Sequence, residues 1–164
     1  MSACFLILSN RESSARLAHL TRAYDEIKKG LHINTTESIH GSLLTVKELL
    51  ENGGMFMTGA RYRETSDIVF RYRDHRELLI RREVVTVLSR FATYSPTEFI
   101  ATQLHQVMMH LIGLIKKPLK EPLAPGAFVA IGMIASAVGT NINQWLDSIS
   151  VSYTHLTLPT NREV

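Results

Sequence analysis

The chain has 164 residues, 45% of them hydrophobic and 20% charged, which is enough for a domain with a buried core and too apolar for a disordered tail. Lys plus Arg number 18 against 15 Asp plus Glu, a net charge of +3, too mild a basic balance to require nucleic acid. One cysteine, Cys4, excludes an internal disulfide and a Cys-rich metal cluster and fits a reducing, cytoplasmic setting. No stretch reads as a secretory leader or as a membrane helix, which needs about 20 apolar residues, so no membrane insertion is expected.

The apolar spacing predicts helices throughout. A short one covers residues 3–9, and a second covers 14–29, where Leu17, Leu20, Tyr24 and Ile27 fall three or four apart and Gly30 stands as C-cap. Asn34-Thr35-Thr36-Glu37 has the form of a capping box and starts a helix reaching Glu51, with the stripe Ile39, Leu43, Val46, Leu49 and Leu50. Asn52-Gly53-Gly54 stops it, because glycine tolerates the left-handed cap. Helices over residues 61–73 and 77–92 follow, the second burying Leu78, Val84, Val85, Leu88 and Phe91 while Arg82, Glu83 and Arg90 face water. Ser95-Pro96-Thr97-Glu98 combines a serine N-cap, proline at the first helical position and glutamate at the third. The helix it opens carries Phe99, Leu104, Val107, Met108, Leu111, Ile112 and Ile115 and ends at Lys116 and Lys117, whose charge suits a helix C-terminus. Pro118, Pro122 and Pro125 mark a connector, a small-residue helix spans residues 127–138 and stops at Gly139, and a last helix covers 143–149.

Short-linked helices in units of roughly 35 to 45 residues predict an all-α fold, an α-solenoid of HEAT or armadillo type. One local signature supports it. HEAT units place an aspartate near the turn between paired helices and an apolar-Arg dipeptide early in the second, and Asp74 with Ile80-Arg81 stands at that spacing. The arginines of such units bond to aspartates and to carbonyl ends of the neighbouring repeat.

Chemistry is mostly absent from the pattern. None of the seven histidines is paired at i, i+4, and His105 and His110 sit about 140° apart around a helix, so no metal site is expected. Cys4 lacks an activating neighbour and reads as a small buried residue. Gly53-Gly54 follows a helix rather than linking a strand to one, the wrong context for phosphate. Asn34-Thr35-Thr36 is formally a glycosylation sequon, read here as a cap. No catalytic, cofactor-binding or metal-binding residue is therefore assigned, and no cofactor is implied.

Two features point to partners instead. Met55-Phe56-Met57 lies in a loop and forms a candidate partner surface, unless it packs back onto its own repeat. Arg61, Arg63, Arg71, Arg73, Arg76, Arg81, Arg82 and Arg90 form an arginine-dense stretch, but Glu64, Asp67, Asp74, Glu77 and Glu83 are interleaved. That mixture reads as a solvated face with internal ion pairs before it reads as an acidic-partner or nucleic-acid surface.

From Val151 the texture changes. Val-Ser-Tyr-Thr-His-Leu-Thr-Leu-Pro-Thr-Asn-Arg-Glu-Val is similar to the in-frame translation of a transposase-type sequencing adapter followed by an index. Residues 1–150 are accordingly expected to be a repeat segment of a longer solenoid, and 151–164 an artefactual tail without function.

The remaining text resembles a known family. Ser38-Ile39-His40-Gly41-Ser42-Leu43-Leu44, then Glu48-Leu49-Leu50-Glu51-Asn52-Gly53-Gly54-Met55-Phe56-Met57, is similar to the N-terminal HEAT-repeat region of target of rapamycin (TOR) kinases in their fungal form. The resemblance continues through Asp74-His75-Arg76, Ala92-Thr93-Tyr94-Ser95-Pro96-Thr97-Glu98-Phe99 and Ala135-Ser136-Ala137-Val138-Gly139. It departs from the family in the connector Pro118-Leu119-Lys120-Glu121-Pro122-Leu123-Ala124-Pro125. The resemblance implies a piece of a long, nutrient-responsive serine/threonine kinase whose catalytic domain lies elsewhere. It further implies a scaffold that docks regulatory subunits such as raptor and the rest of its own chain, in a dimeric, cytoplasmic parent associated peripherally with endomembranes.

Overall fold

The computed structural model describes the backbone of residues 2–33, 35–116 and 122–157 and side chains within 13–33, 35–116 and 122–151. Among these residues every regular element is helical. The fold is all-α, consistent with a helical-repeat solenoid, and it divides into two compact units, Met1–Ile68 and Val69–Val164.

In the first unit, α1 (Ser2–His32) is one uninterrupted helix, where two helices with a break between residues 9 and 14 were expected. The polar Arg11-Glu12-Ser13-Ser14 contains neither Gly nor Pro, so nothing in it forbids helical geometry. Gly30, expected as a C-cap, lies inside α1 and is buried where α1 meets α2 (Thr36–Asn52). The cap of α2 is Thr35, whose hydroxyl accepts from the Ser38 amide at 3.4 Å; the expected cap, Asn34, lies outside the described residues. All five stripe positions of α2 are buried, and α1 packs along it. The left-handed conformation falls on Gly54 (φ 57°), not Gly53, and leads into a 3-10 turn, Gly54–Met57. Next comes α3 (Ala60–Arg71), with Tyr62, Thr65 and Ser66 buried.

α3 carries the chain into the second unit, which begins at Val69 and continues through a 3-10 turn, Tyr72–Asp74, to α4 (Leu78–Tyr94). Val84, Val85, Leu88 and Phe91 are buried as their spacing requires, joined by Ile80, Val87, Ser89 and Ala92, while Leu78 is only half-buried. Proline at the first turn starts α5 (Pro96–Thr102) where expected, although the Ser95 side chain makes no capping hydrogen bond. The single helix expected from Pro96 to the lysines is two: Gln103, at φ −120°, separates α5 from α6 (Leu104–Ile115). The ladder survives the kink, because the Gln103 amide donates to the Phe99 carbonyl (2.9 Å) and its own carbonyl accepts from Val107 (3.0 Å). Lys117 and the connector as far as Glu121 lie outside the described residues. Pro125 is not connector but first turn of α7 (Ala124–Val138), where a missing amide removes no intrahelical bond. α7 stops at Gly139 (φ 57°), as its sequence demanded.

A 3-10 segment, Gly139–Trp145, then passes into α8 (Leu146–Thr157). The helix therefore runs through Val151, where the sequence changes texture; residues 158–164 lie outside the description. Ala124–Val151, not singled out from the sequence, is 28 residues containing an 18-residue window of mean hydropathy 1.4, long and apolar enough to cross a membrane by length and composition. In the structure 33% of that window is buried in a core. Ala127, Ala130, Ile131, Ile134, Val138, Ile142 and Trp145 are buried, α7 packs against α4 and α6, and the stretch is broken by its 3-10 segment.

Candidate functional site

Chemically dense side chains of the first unit gather between α1 and the turn that follows α2. Tyr24, on α1, is buried, and its hydroxyl donates to Glu64 Oε2 at 3.0 Å. The other carboxylate oxygen of Glu64 pairs with Lys28 Nζ at 2.7 Å. Tyr24 and Lys28 are four apart on α1 and so share a face. Phe56 meets the Tyr24 ring edge-on, with centroids 6.1 Å apart at 76°. Arg61 lays its guanidinium over Phe56 at 4.3 Å and within 5.9 Å of Tyr24, while its Nη1 donates to the Phe56 carbonyl at 3.4 Å. Arg16 reaches from α1 to the Asn52 carbonyl at 3.1 Å. Beside this cluster a groove of about 590 Å³ is lined by Arg16, Leu17, Leu20, Met55, Phe56 and Arg61, among others.

The electrostatics follow from these contacts. Hydrogen bonds from Lys28 and Tyr24 hold the Glu64 carboxyl below its ordinary range, the bond to Glu64 raises Lys28, and burial pushes Tyr24 up. A carboxyl depressed in the folded state contributes stability that is present above its unfolded value and lost as pH falls through the folded one. A phenol raised on folding contributes stability that is present below its unfolded value and lost as pH rises through the folded one. Glu64→Gln is therefore expected to flatten the acid limb of the melting temperature against pH below the ordinary carboxylate range, and to soften the alkaline limb without abolishing it, since burial is the main cause of the raised Tyr24 and Glu64 adds to it. An acid limb unchanged by Glu64→Gln would remove this cluster from the account.

Met55-Phe56-Met57 divides: Phe56 and Met57 fold back into the core, and Met55 alone stands out, 81% exposed. Asp74 pairs with its neighbour Arg73 (3.2 Å). Ile80 is fully buried, and Arg81 keeps its Nε buried without a hydrogen-bond partner among the described residues. Three arginines of the dense stretch have contacts of their own. Arg73 stacks on Phe70 at 4.4 Å, Arg76 pairs with Glu77 at 3.6 Å, and Arg61 belongs to the cluster above. Among the described residues no three His, Cys, Asp or Glu side chains converge on a metal position, and the Cys4 side chain lies outside the description. Sequence reasoning missed the Tyr24, Lys28 and Glu64 set, because Tyr24 and Glu64 are 40 residues apart.

No family model and no solved structure matches the chain. Curated relatives do. It is 37% identical over 151 residues to "Serine/threonine-protein kinase TOR" of Oryza sativa, and 34% identical over 150 residues to the Arabidopsis thaliana protein of the same name. Against "Serine/threonine-protein kinase tor1" of Schizosaccharomyces pombe it is 34% identical over 143 residues. The chain is homologous to a segment of TOR serine/threonine kinases. The matches cover 92%, 91% and 87% of it but only 6% of each relative. Equal identity to the plant and fission-yeast proteins means that the TOR likeness is not peculiar to fungi. The TOR-like segment thus has its helices where the quoted motifs lie: Ser38 to Leu44 within α2, and Ala92 to Phe99 across the junction of α4 and α5.

Proposed function

We propose that this chain is a protein-interaction scaffold segment of a TOR-type serine/threonine kinase and performs no catalysis itself. The observation that carries the reading is its likeness to TOR kinases along about nine-tenths of its own length in a wholly helical fold, since stacked helix pairs offer extended surfaces rather than a convergent pocket. HEAT-type stacking, docking of a regulatory subunit such as raptor, contact with the rest of the same polypeptide, a dimeric parent and a cytoplasmic setting with peripheral endomembrane association belong to this reading. Exposed Leu79, Met109, Val129 and Leu146 are the apolar positions that neighbouring repeats would cover.

The test uses the intact kinase that carries this segment. Removing the segment is expected to lower co-purification of the regulatory subunit while the kinase domain still phosphorylates a generic peptide. The isolated chain is expected to transfer no phosphate from ATP. Retained co-purification, or phosphoryl transfer by the chain alone, would overturn the reading.

A further inference from the structure

We infer that the groove between α1 and the 3-10 turn Gly54–Met57 docks an acidic, amphipathic protein segment, with a carboxylate on Arg61 and Arg16 and a neighbouring bulky apolar side chain between Leu17, Leu20 and Met55. The inference rests on the scaffold reading and names the chemistry of the partner at one face of it. Charge is the first argument. A guanidinium carries five N–H donors, yet Arg16 and Arg61 each make one hydrogen bond, to the carbonyls of Asn52 and Phe56. Neither is paired with a carboxylate among the described residues. Glu64, one turn beyond Arg61, is already committed to Lys28 and Tyr24. Two positive charges thus share one groove whose lining, among the described residues, contains no acid.

Preorganisation is the second argument. Stacking on Phe56 at 4.3 Å holds the Arg61 plane before any partner arrives, so less side-chain freedom is lost when a carboxylate meets it. Apolar walls are the third. Leu17 is 55% exposed and Met55 81% exposed at the groove; methionine adapts to varied apolar partners, and these walls offer nothing to a phosphate backbone. A nucleic acid would use the charges and waste Leu17 and Met55, whereas an acidic-apolar peptide uses both.

The experiment measures fluorescence anisotropy on the full chain, using a short fluorescein-labelled peptide with a central Asp-Leu-Glu-Phe between Gly-Ser flanks. Its Asn-Leu-Gln-Phe and Asp-Ser-Glu-Ser counterparts and a single-stranded oligonucleotide serve as comparison probes. Binding of the first peptide is expected to weaken about tenfold in Arg61→Gln and in Met55→Ser, and to be unchanged in Arg76→Gln, whose side chain is 84% exposed and is not among the residues lining the groove. Met55→Ser alters an exposed side chain, so it reports on docking even if Arg61→Gln perturbs the Phe56 stack, and far-ultraviolet circular dichroism verifies both folds. Absence of binding, equal binding of either altered peptide, indifference to both substitutions, or tighter binding of the oligonucleotide through the same residues would each overturn the inference. A negative peptide result together with loss of the subunit on segment removal overturns the groove and leaves the scaffold reading standing. Retained co-purification on segment removal overturns the scaffold reading whatever the peptide does.

Discussion

Phe91→Ala is expected to lower the unfolding free energy by about 3–5 kcal/mol. The ring is fully buried on α4, on the stripe that includes Val84 and Leu88, and α4 packs most extensively against α7. The buried residues of α7 are largely small, Ala124, Ala127 and Ala130 beside Ile131 and Ile134, and short side chains on a helix have little reach with which to fill a vacated volume. A cost near the upper end of the range follows, because the penalty grows with the cavity that remains. Single domains are stable by only about 5–15 kcal/mol, so the substitution is expected to remove a large share of the second unit's stability. Leu79→Ala, one position outside the packed stripe and 47% exposed, is expected to change stability by about 0.5 kcal/mol or less. Urea unfolding of both variants decides the matter: similar midpoints would mean that α4 does not present the face described.

The contrast between these two positions of α4 marks what a sequence of this kind makes legible. Period-3.6 spacing identified the buried faces of α2, α4 and α6, since a helix that must bury one stripe against its neighbours can place apolar residues almost nowhere else. Pro96 and Gly139 marked a start and a stop because each acts on its own backbone, through a fixed φ in one case and a positive φ in the other. Local rules failed at two places. Gln103 kinks the chain between α5 and α6 although it is neither Gly nor Pro, and its buried side chain is held by Gln106. Pro125 looked like a breaker because the start of α7 could not be placed from composition.

The groove was half legible. Met55 and Arg61 were each singled out, one as apolar and exposed and the other as part of a charged stretch, but nothing local says that they line the same cavity as Arg16 and Leu17. That juxtaposition needs α1 to lie along α2 and the turn after α2 to fold back, which are contacts between residues some forty positions apart, as in the Tyr24 to Glu64 bond. Arg61 also changes meaning in the fold. In the sequence it counts toward a basic run tempered by acids, whereas in the structure its nearest acid is occupied and its plane is stacked on an aromatic ring. The physical difference between a solvated surface charge and a poised one lies in those two contacts.

The packing of α1 on α2 makes Gly30 a sensitive position of the first unit. A Cβ on Gly30 would run into Ser42 Oγ on α2 and would lie 3.2 Å from Ser38 Oγ, which itself donates to the Gly30 carbonyl at 3.1 Å. Gly30→Leu cannot be accommodated by turning one hydroxyl. It must push α1 off α2, and overpacking of this kind costs about 1–3 kcal/mol in a pair of helices whose contact supports both the Tyr24 cluster and the groove. Gly30→Ala separates two opposed effects. Alanine is the better helix former by about 1 kcal/mol, and in the native background the collision with Ser42 Oγ is expected to cancel that gain or exceed it. In a Ser42→Ala background the colliding oxygen is gone and the next nearest atoms lie at 3.2 and 3.4 Å, so the same substitution is expected to recover most of its helix-forming advantage. A double-mutant cycle by urea unfolding should therefore give a coupling of about 1 kcal/mol between positions 30 and 42. Strict additivity would show that α1 and α2 do not approach through Gly30, and the geometry of the groove built on that approach would fall with it.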